Sequence, residues 1–153
     1  MGFSGKRRRR PAGGPFDAVL NALATLLSRD IRIALLRRGL HPGFAVLHAV
    51  EDGEDALVYD LMEEFRAPMI EATALALVNR RAVTPEMFDK TSTGYARMSR
   101  DAYAAVVRGY EAAAARPVAS PARGGDRVAW RVAMEDQAGR LAAHFGNAAN
   151  TGR

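Results

Sequence analysis

The sequence predicts an all-α fold, a compact bundle of five to six helices. Three observations lead there. Apolar residues recur at helical spacing for more than twenty residues from Phe16. The same spacing returns around Leu57, Leu61 and Phe65, around Val106 and Tyr110, and around Met134 and Leu141. No segment reads as building a sheet.

Composition sets the frame for these elements. The chain has 153 residues, of which 48% are hydrophobic and 25% charged, the balance of an ordinary globular chain of one domain. That excludes a mostly disordered protein, and 14 Gly with 7 Pro are too few for a fibrous one. There is no cysteine, so disulfides and thiolate metal sites are excluded and any metal must be held by His and carboxylates. No apolar run is long enough to cross a bilayer, and the basic start has no apolar core behind it. The expectation is a cytoplasmic protein with no secretory signal and no membrane partner.

The net charge is +5, from 22 Lys and Arg against 17 Asp and Glu. Lys6, Arg7, Arg8, Arg9 and Arg10 account for all of the excess, so residues 11–153 are neutral. Two readings of that arm stand: a contact for DNA or another polyanion, or a nonspecific solubilising or targeting run.

Taken in order, residues 1–14 read as a basic flexible arm, broken by Pro11 and Gly13-Gly14. Phe16, Val19, Leu20, Leu23, Leu26, Leu27, Ile31 and Leu35 form one helical stripe. Pro15 suits its first turn, Arg37 and Arg38 suit the dipole of its last, and Gly39 is its stop. Gly39 to Gly43 is a turn, Phe44 to His48 a strand or one buried helical turn, and Glu51 to Asp55 an exposed loop. Ala56 to Phe65 is helical, Pro68 starts a new helix or kinks this one, and Met69 to Arg81 continues in register. Thr84-Pro85-Glu86 reads as an N-cap with a first-turn Pro and acid. Residues 89–98 are polar and irregular. Ser99 caps the next helix, with Tyr103, Val106, Val107 and Tyr110 as its buried stripe, and Pro117 ends it. A Pro/Gly/Ser loop fills 117–126. The last helix runs from about Arg127 to Phe145, with Trp130, Ala133, Met134, Gln137, Leu141 and Phe145 near the core. Gly146 stops it. Residues 15–146 are thus the helical domain and 147–153 a disordered tail.

The chemistry gathers in one place. Seven of the acidic residues lie between Glu51 and Glu64, with no Lys or Arg among them and His48 just before. Asp60, Glu63 and Glu64 are three and four apart on one helix, so their like charges repel by a few tenths of a kcal/mol per pair. A hard divalent cation such as Mg²⁺ or Mn²⁺ would offset that repulsion, and Mn²⁺ also accepts imidazole. One His with two or three carboxylates is a partial site for phosphoryl chemistry. The plain alternative is a solvated acidic face beside a core histidine. His41 reads as an exposed turn residue, and His144 as a helix-end imidazole favoured by the dipole. No phosphate loop and no nucleophile elbow is present.

The stretch Gly39-Leu40-His41-Pro42-Gly43-Phe44-Ala45-Val46-Leu47-His48, followed by Ala56-Leu57-Val58-Tyr59-Asp60-Leu61-Met62-Glu63-Glu64-Phe65-Arg66, resembles the signature of the CRISPR adaptation integrase family. These are the metal-dependent DNA endonucleases and integrases that insert spacers into CRISPR arrays. Gly5 to Pro11, Phe16 to Leu23, Tyr95 to Glu111 and Trp130-Arg131 also resemble the family, so the likeness covers about residues 3–145. It implies a helical catalytic-type domain over 15–146. It implies metal ligands at His48 and Glu63, with Asp60 as a supporting carboxylate and Mg²⁺ or Mn²⁺ as the cofactor. It implies DNA as partner, contacted by Lys6, Arg7, Arg8, Arg9 and Arg10 together with Arg66, Arg80 and Arg81. A homodimer, and the second CRISPR adaptation protein, are the implied protein partners.

The chain departs from the family pattern at three points. His41 stands where an Asp is usual and Ala45 where a Gly is usual. The family's third metal-binding residue, a Glu upstream of the basic arm, is not among these residues, and neither is its amino-terminal β domain. The expectation is therefore a truncated homologue, a fragment, or one piece of a split protein, weakly active or inactive by itself. The alternative is a non-catalytic helical module that binds DNA or dimerises.

Overall fold

A computed structural model describes residues 13–43, 55–91 and 96–151 of the chain. The basic arm, the run from Phe44 to His48 and the acidic residues Glu51, Asp52 and Glu54 lie outside the described residues. No helix among the described residues is long and apolar enough to cross a membrane.

The longest apolar stripe forms α1 (Pro15–Arg37), which packs against every other helix of the bundle. Its inward face is Val19, Leu20, Leu23, Leu27, Ile31, Ala34 and Leu35, all buried. Phe16, expected on that stripe, is exposed, because it sits in the first turn, where α1 extends beyond its neighbours' cover. The helix stops by a Schellman closure. Gly39 takes φ +73°, its N–H reaches Leu36 O at 3.0 Å, and the Leu40 N–H reaches Leu35 O at 3.0 Å.

The second stripe forms α2 (Ala56–Arg66), burying Leu57, Val58, Leu61, Met62 and Phe65. The chain then does not break at Pro68. It widens into a single π turn, Ala67–Glu71, closed by the Ala72 N–H on Ala67 O, and runs on into α3 (Ala72–Asn79). Proline has no N–H to place in an α ladder, and a wider turn accommodates it. α3 also ends in a Schellman closure, with the Arg81 N–H on Val78 O at 2.9 Å and the Ala82 N–H on Leu77 O at 2.9 Å. Here the left-handed position is held by Arg81, at φ +52°. A residue with a Cβ is strained there by about 1–2 kcal/mol.

Thr84-Pro85-Glu86 begins only a 3₁₀ turn, Pro85–Met87. The chain then becomes extended as β1 (Phe88–Lys90), which pairs antiparallel with β2 (Ala96–Met98), Phe88 opposite Met98. The segment expected to be irregular therefore carries paired strands at its two ends. α4 (Arg100–Ala114) starts at Ser99, whose hydroxyl accepts the Ala102 N–H at 3.2 Å, as expected of its cap. Val106 and Tyr110 are buried on it, but Tyr103 is 50% exposed and the inner face is completed by Ala102, Ala105, Ala113 and Ala114. Small residues let α4 approach α3 closely. At Gly109 a Cβ would stand 2.9 Å from a methyl of Leu77.

The expected loop after Pro117 contains β3 (Pro117–Ala119) and β4 (Arg127–Ala129), paired with Val118 opposite Val128. α5 (Trp130–Thr151) follows and does not stop at Gly146. Ala148 and Ala149 are strong helix formers and outweigh one glycine. Met134 and Ala138 are its fully buried residues, and Trp130 meets Phe65 edge-on at 6.0 Å. With strands only three residues long, the protein is a bundle of five α-helices among the described residues, clipped by two short hairpins.

Candidate functional site

The acidic residues of α2 point in different directions. Asp60 is buried, with 8% of its surface exposed, among the apolar residues of the helix. A buried carboxylate needs compensation, and Asp60 is engaged by an interaction within the chain. Glu63 faces outward, its side chain 57% exposed. Glu64 turns toward α5, where it accepts a hydrogen bond of 2.9 Å from Gln137 Nε2. The three are neighbours in sequence spacing but do not share one surface.

Glu63 lines a cleft of about 520 Å³ between α1 and α2. Asn21, Thr25 and Ser28 form the α1 wall, and Tyr59, Glu63 and Arg66 the polar part of the α2 wall. The α1 residues are an uncharged polar stripe at helical spacing beside the apolar one. That spacing is readable in the sequence, though uncharged polar residues mark a face far more weakly than leucine does. Thr25 and Ser28 donate their hydroxyls to Asn21 O and Thr25 O, both at 2.9 Å, so each proton is spent on the helix's own backbone.

Arg66, expected to meet DNA, lies between two carboxylates. Its Nη1 is 3.0 Å from Glu63 Oε1 and its Nε 3.8 Å from Glu71 Oε1. The guanidinium partly neutralises Glu63, while its place on the cleft wall keeps it within reach of a phosphate entering there. Arg80 and Arg81 are exposed at the end of α3 and do not line this cleft. His48 and the cationic residues Lys6, Arg7, Arg8, Arg9 and Arg10 lie outside the described residues. His41 is an exposed turn residue, as expected, with Nδ1 accepting the Gly43 N–H at 3.1 Å.

Among the described residues no group of three or more His, Asp or Glu side chains is close enough to hold a metal. The donors that are present suit a hard cation. Two carboxylates three apart on one helix, one buried and one open to a cleft, offer oxygen ligands of the kind Mg²⁺ and Mn²⁺ prefer.

Two further clusters lie away from the cleft. Tyr110 and Arg131 converge on Asp30, at 2.8 and 2.9 Å, and Arg131 also grips Glu111. This joins α1, α4 and α5. Asp136 receives Ser120 Oγ at 3.0 Å and Arg123 Nε at 2.7 Å, which docks the second hairpin onto α5. The hydrogen-bonded Arg123 guanidinium holds the Asp136 carboxyl below the usual range, and Ser120 adds to the effect. Both clusters are structural ties.

Comparison with known proteins places the chain. The family model described as "CRISPR associated protein Cas1" matches residues 2–112. A CRISPR-associated endonuclease Cas1 of Thermus thermophilus is 37% identical over 141 residues, which are 92% of this chain and 42% of that protein. Among solved structures, a casposase bound to integration product superposes with a TM-score of 0.81 at 22% identity, over 92% of this chain and 41% of that one. A Cas1 protein from Thermotoga maritima superposes with a TM-score of 0.76 at 22% identity, over 90% of this chain and 42% of that one. At that identity the two structures share the fold. The chain spans about two fifths of the length of each of these proteins.

Proposed function

This chain belongs to the Cas1 family of CRISPR-associated proteins, and from that premise we propose that it is the helical part of a metal-dependent DNA endonuclease and integrase. The reaction joins the 3′-hydroxyl of one DNA end to a phosphodiester, one P–O bond forming as another breaks. The observation that carries the reading is the placement of Asp60 and Glu63 on α2, with Glu63 opening onto the α1–α2 cleft. The Thermus relative is named an endonuclease, and the casposase neighbour is named as bound to an integration product.

In this reading Glu63 and His48 hold the ion, with Asp60 supporting them from the buried side of α2. Bound Mg²⁺ or Mn²⁺ would supply Lewis-acid polarisation of a phosphodiester and neutralise charge developing on it. The chain's own residues orient the strand. Arg66 offers a planar donor pair to phosphate from the α2 wall of the cleft. The basic arm from Lys6 to Arg10 adds affinity without sequence preference. A second copy of the chain and the second CRISPR adaptation protein are its protein partners, and its place is the cytoplasm. The family resemblance supports all three assignments.

Calorimetric titration with Mn²⁺ tests the site. Binding should be weak in the parent chain and lost in the His48→Ala/Glu63→Ala double variant. Indistinguishable isotherms for the two proteins would overturn the ligand assignment.

One observation favours a second reading, a non-catalytic DNA-binding or dimerisation module. Arg66 already pairs with Glu63. Metal uptake by the DNA-bound chain separates the two, since the chain alone is expected to nick weakly or not at all: Mn²⁺ binding lost in Glu63→Gln belongs to the first reading, and DNA binding with no Mn²⁺ binding to the second.

A further inference from the structure

A second cleft, of about 540 Å³, lies between α3 and α4 and shares no lining residue with the cleft at Glu63. Its floor is small, formed by Ala76, Ala105, Gly109 and Ala112, and its rim carries Arg80, Arg108 and Arg116. All three arginines are exposed, and no carboxylate is among the lining residues.

Five other arginines of the surface are placed differently. Arg32, Arg37, Arg66, Arg123 and Arg131 each lie against a carboxylate. Arg80 and Arg108 form no ion pair among the described residues, and Arg116 spends one N–H on the carbonyl of Pro68 at 3.3 Å. Glu71, at the start of α3, is turned to Arg66, and Glu111 on α4 is taken by Arg131. Asp101 shares the face of Arg108 but lies two turns away and outside the cleft. Three like charges around one concave surface repel one another unless a polyanion lies between them. Arg81, beside Arg80, keeps a left-handed backbone that glycine would hold without strain.

We propose that the α3–α4 cleft is a second seat for nucleic acid, taking the phosphate backbone of a strand on Arg80, Arg108 and Arg116. The proposal rests on the reading of the chain as a DNA-binding protein and adds a surface remote from Glu63. Guanidinium forks match phosphate oxygens in pairs. Arg108 stands on α4 and Arg116 just past the end of that helix, so the two are placed for separate phosphates. The floor is largely alanine and glycine, and the one lining hydroxyl, Thr73, is buried, so recognition is of the backbone and independent of sequence. An acidic peptide would meet the same charges, but with Thr73 buried no exposed side-chain amide or hydroxyl of the lining would fix its main chain.

Fluorescence anisotropy with single-stranded and duplex DNA over a range of salt tests this on the 153-residue chain. Changing Arg80, Arg108 and Arg116 together to alanine should make the log–log salt slope shallower by about 2–3, one phosphate per arginine. The corresponding lysine variant should restore most of the slope. All three side chains are on the surface, so the fold should be kept, and circular dichroism checks it. If the parent binds DNA and the alanine variant has the same slope and affinity, the cleft is not a nucleic-acid seat. If the alanine variant loses polyglutamate binding while keeping DNA binding, the cleft is a peptide site and the proposal fails. If the parent binds no DNA at any salt, the DNA-binding reading falls and this proposal with it.

Discussion

The phenol of Tyr110 donates a hydrogen bond of 2.8 Å to Asp30, eighty residues earlier in the chain. The same carboxylate oxygen receives Arg131 Nε at 2.9 Å, so one acid serves donors from α4 and α5. Burial raises the Tyr110 pKa well above its ordinary value, and the charge of Asp30 raises it further. The neutral phenol is therefore favoured more in the folded chain than in the unfolded one. Its contribution is full below the unfolded tyrosine pKa of about 10 and is lost as pH rises above it. Tyr110→Phe should cost about 1 kcal/mol at neutral pH and remove that alkaline loss. Urea unfolding from pH 7 upward measures both, and an alkaline limb unchanged in Tyr110→Phe would contradict the assignment.

Asp136 acts at the other end of the pH scale. Its side chain is 9% exposed and its pKa is lowered by the Arg123 and Ser120 hydrogen bonds. A lowered carboxyl contributes stability above its unfolded pKa of about 3.9, and that stability is lost as pH falls through the folded value. Asp136→Asn should be less stable than the parent at pH 7, and the difference should shrink toward the acid end. A constant difference across the acid range would show that the pairing does not govern the titration.

Arg81 offers a separation of stability from binding. Arg81→Gly should raise stability by about 0.5–1 kcal/mol, because relief of the left-handed strain exceeds the added freedom of the unfolded chain. DNA affinity should fall slightly at low salt, since one exposed cation is removed. A thermal midpoint that drops on this change would mean that the turn after Asn79 is held by something other than its backbone closure.

Arg66→Ala should have opposite effects on the two ligands of the α1–α2 cleft. The Glu63–Arg66 pair is an exposed i, i+3 contact worth about 0.3–0.5 kcal/mol. Removing it frees Glu63, so Mn²⁺ affinity should rise by about twofold while DNA affinity falls. Loss of Mn²⁺ binding in this variant would mean that Arg66 positions Glu63 rather than competing for it.

Deletion of residues 1–10 should flatten the salt slope of DNA binding. Five charges on about five phosphates contribute about −4 to −5 to a log–log plot. An unchanged slope would place the contacts elsewhere.

The large apolar stripes were legible in the sequence because leucine and isoleucine mark a buried face strongly. α1, α2, the Ser99 cap and the glycine stop at Gly39 all follow from local chemistry. α4 was misread on its inner face. Ala102, Ala105 and Ala113 carry little hydrophobic signal, while Tyr103 carries much and remains at the surface. Close approach at Gly109 demands small residues there, and closeness is a property of the pair of helices, not of either sequence segment. The hairpins escaped for a related reason: three-residue strands are too short to show an alternation. At the candidate site, spacing brought Asp60, Glu63 and Glu64 together on a wheel. Which of them is buried, which opens to the cleft and which turns to Gln137 depends on what α1 and α5 place beside them.

The wide turn from Ala67 to Glu71 also bears on how this chain tolerates changes in length. An extra residue inside a regular helix would rotate everything after it by about 100°. A π turn absorbs such a residue locally, so α2 and α3 keep their mutual orientation although the chain between them is longer than an α-helix requires. Deleting one residue between Ala67 and Glu71 would therefore narrow the turn and leave the two clefts facing as they do. The same deletion within Ala72–Asn79 would swing Arg80 away from Arg108 and open the α3–α4 rim. Length is slack at one point of this continuous helical run and fixed a single turn later.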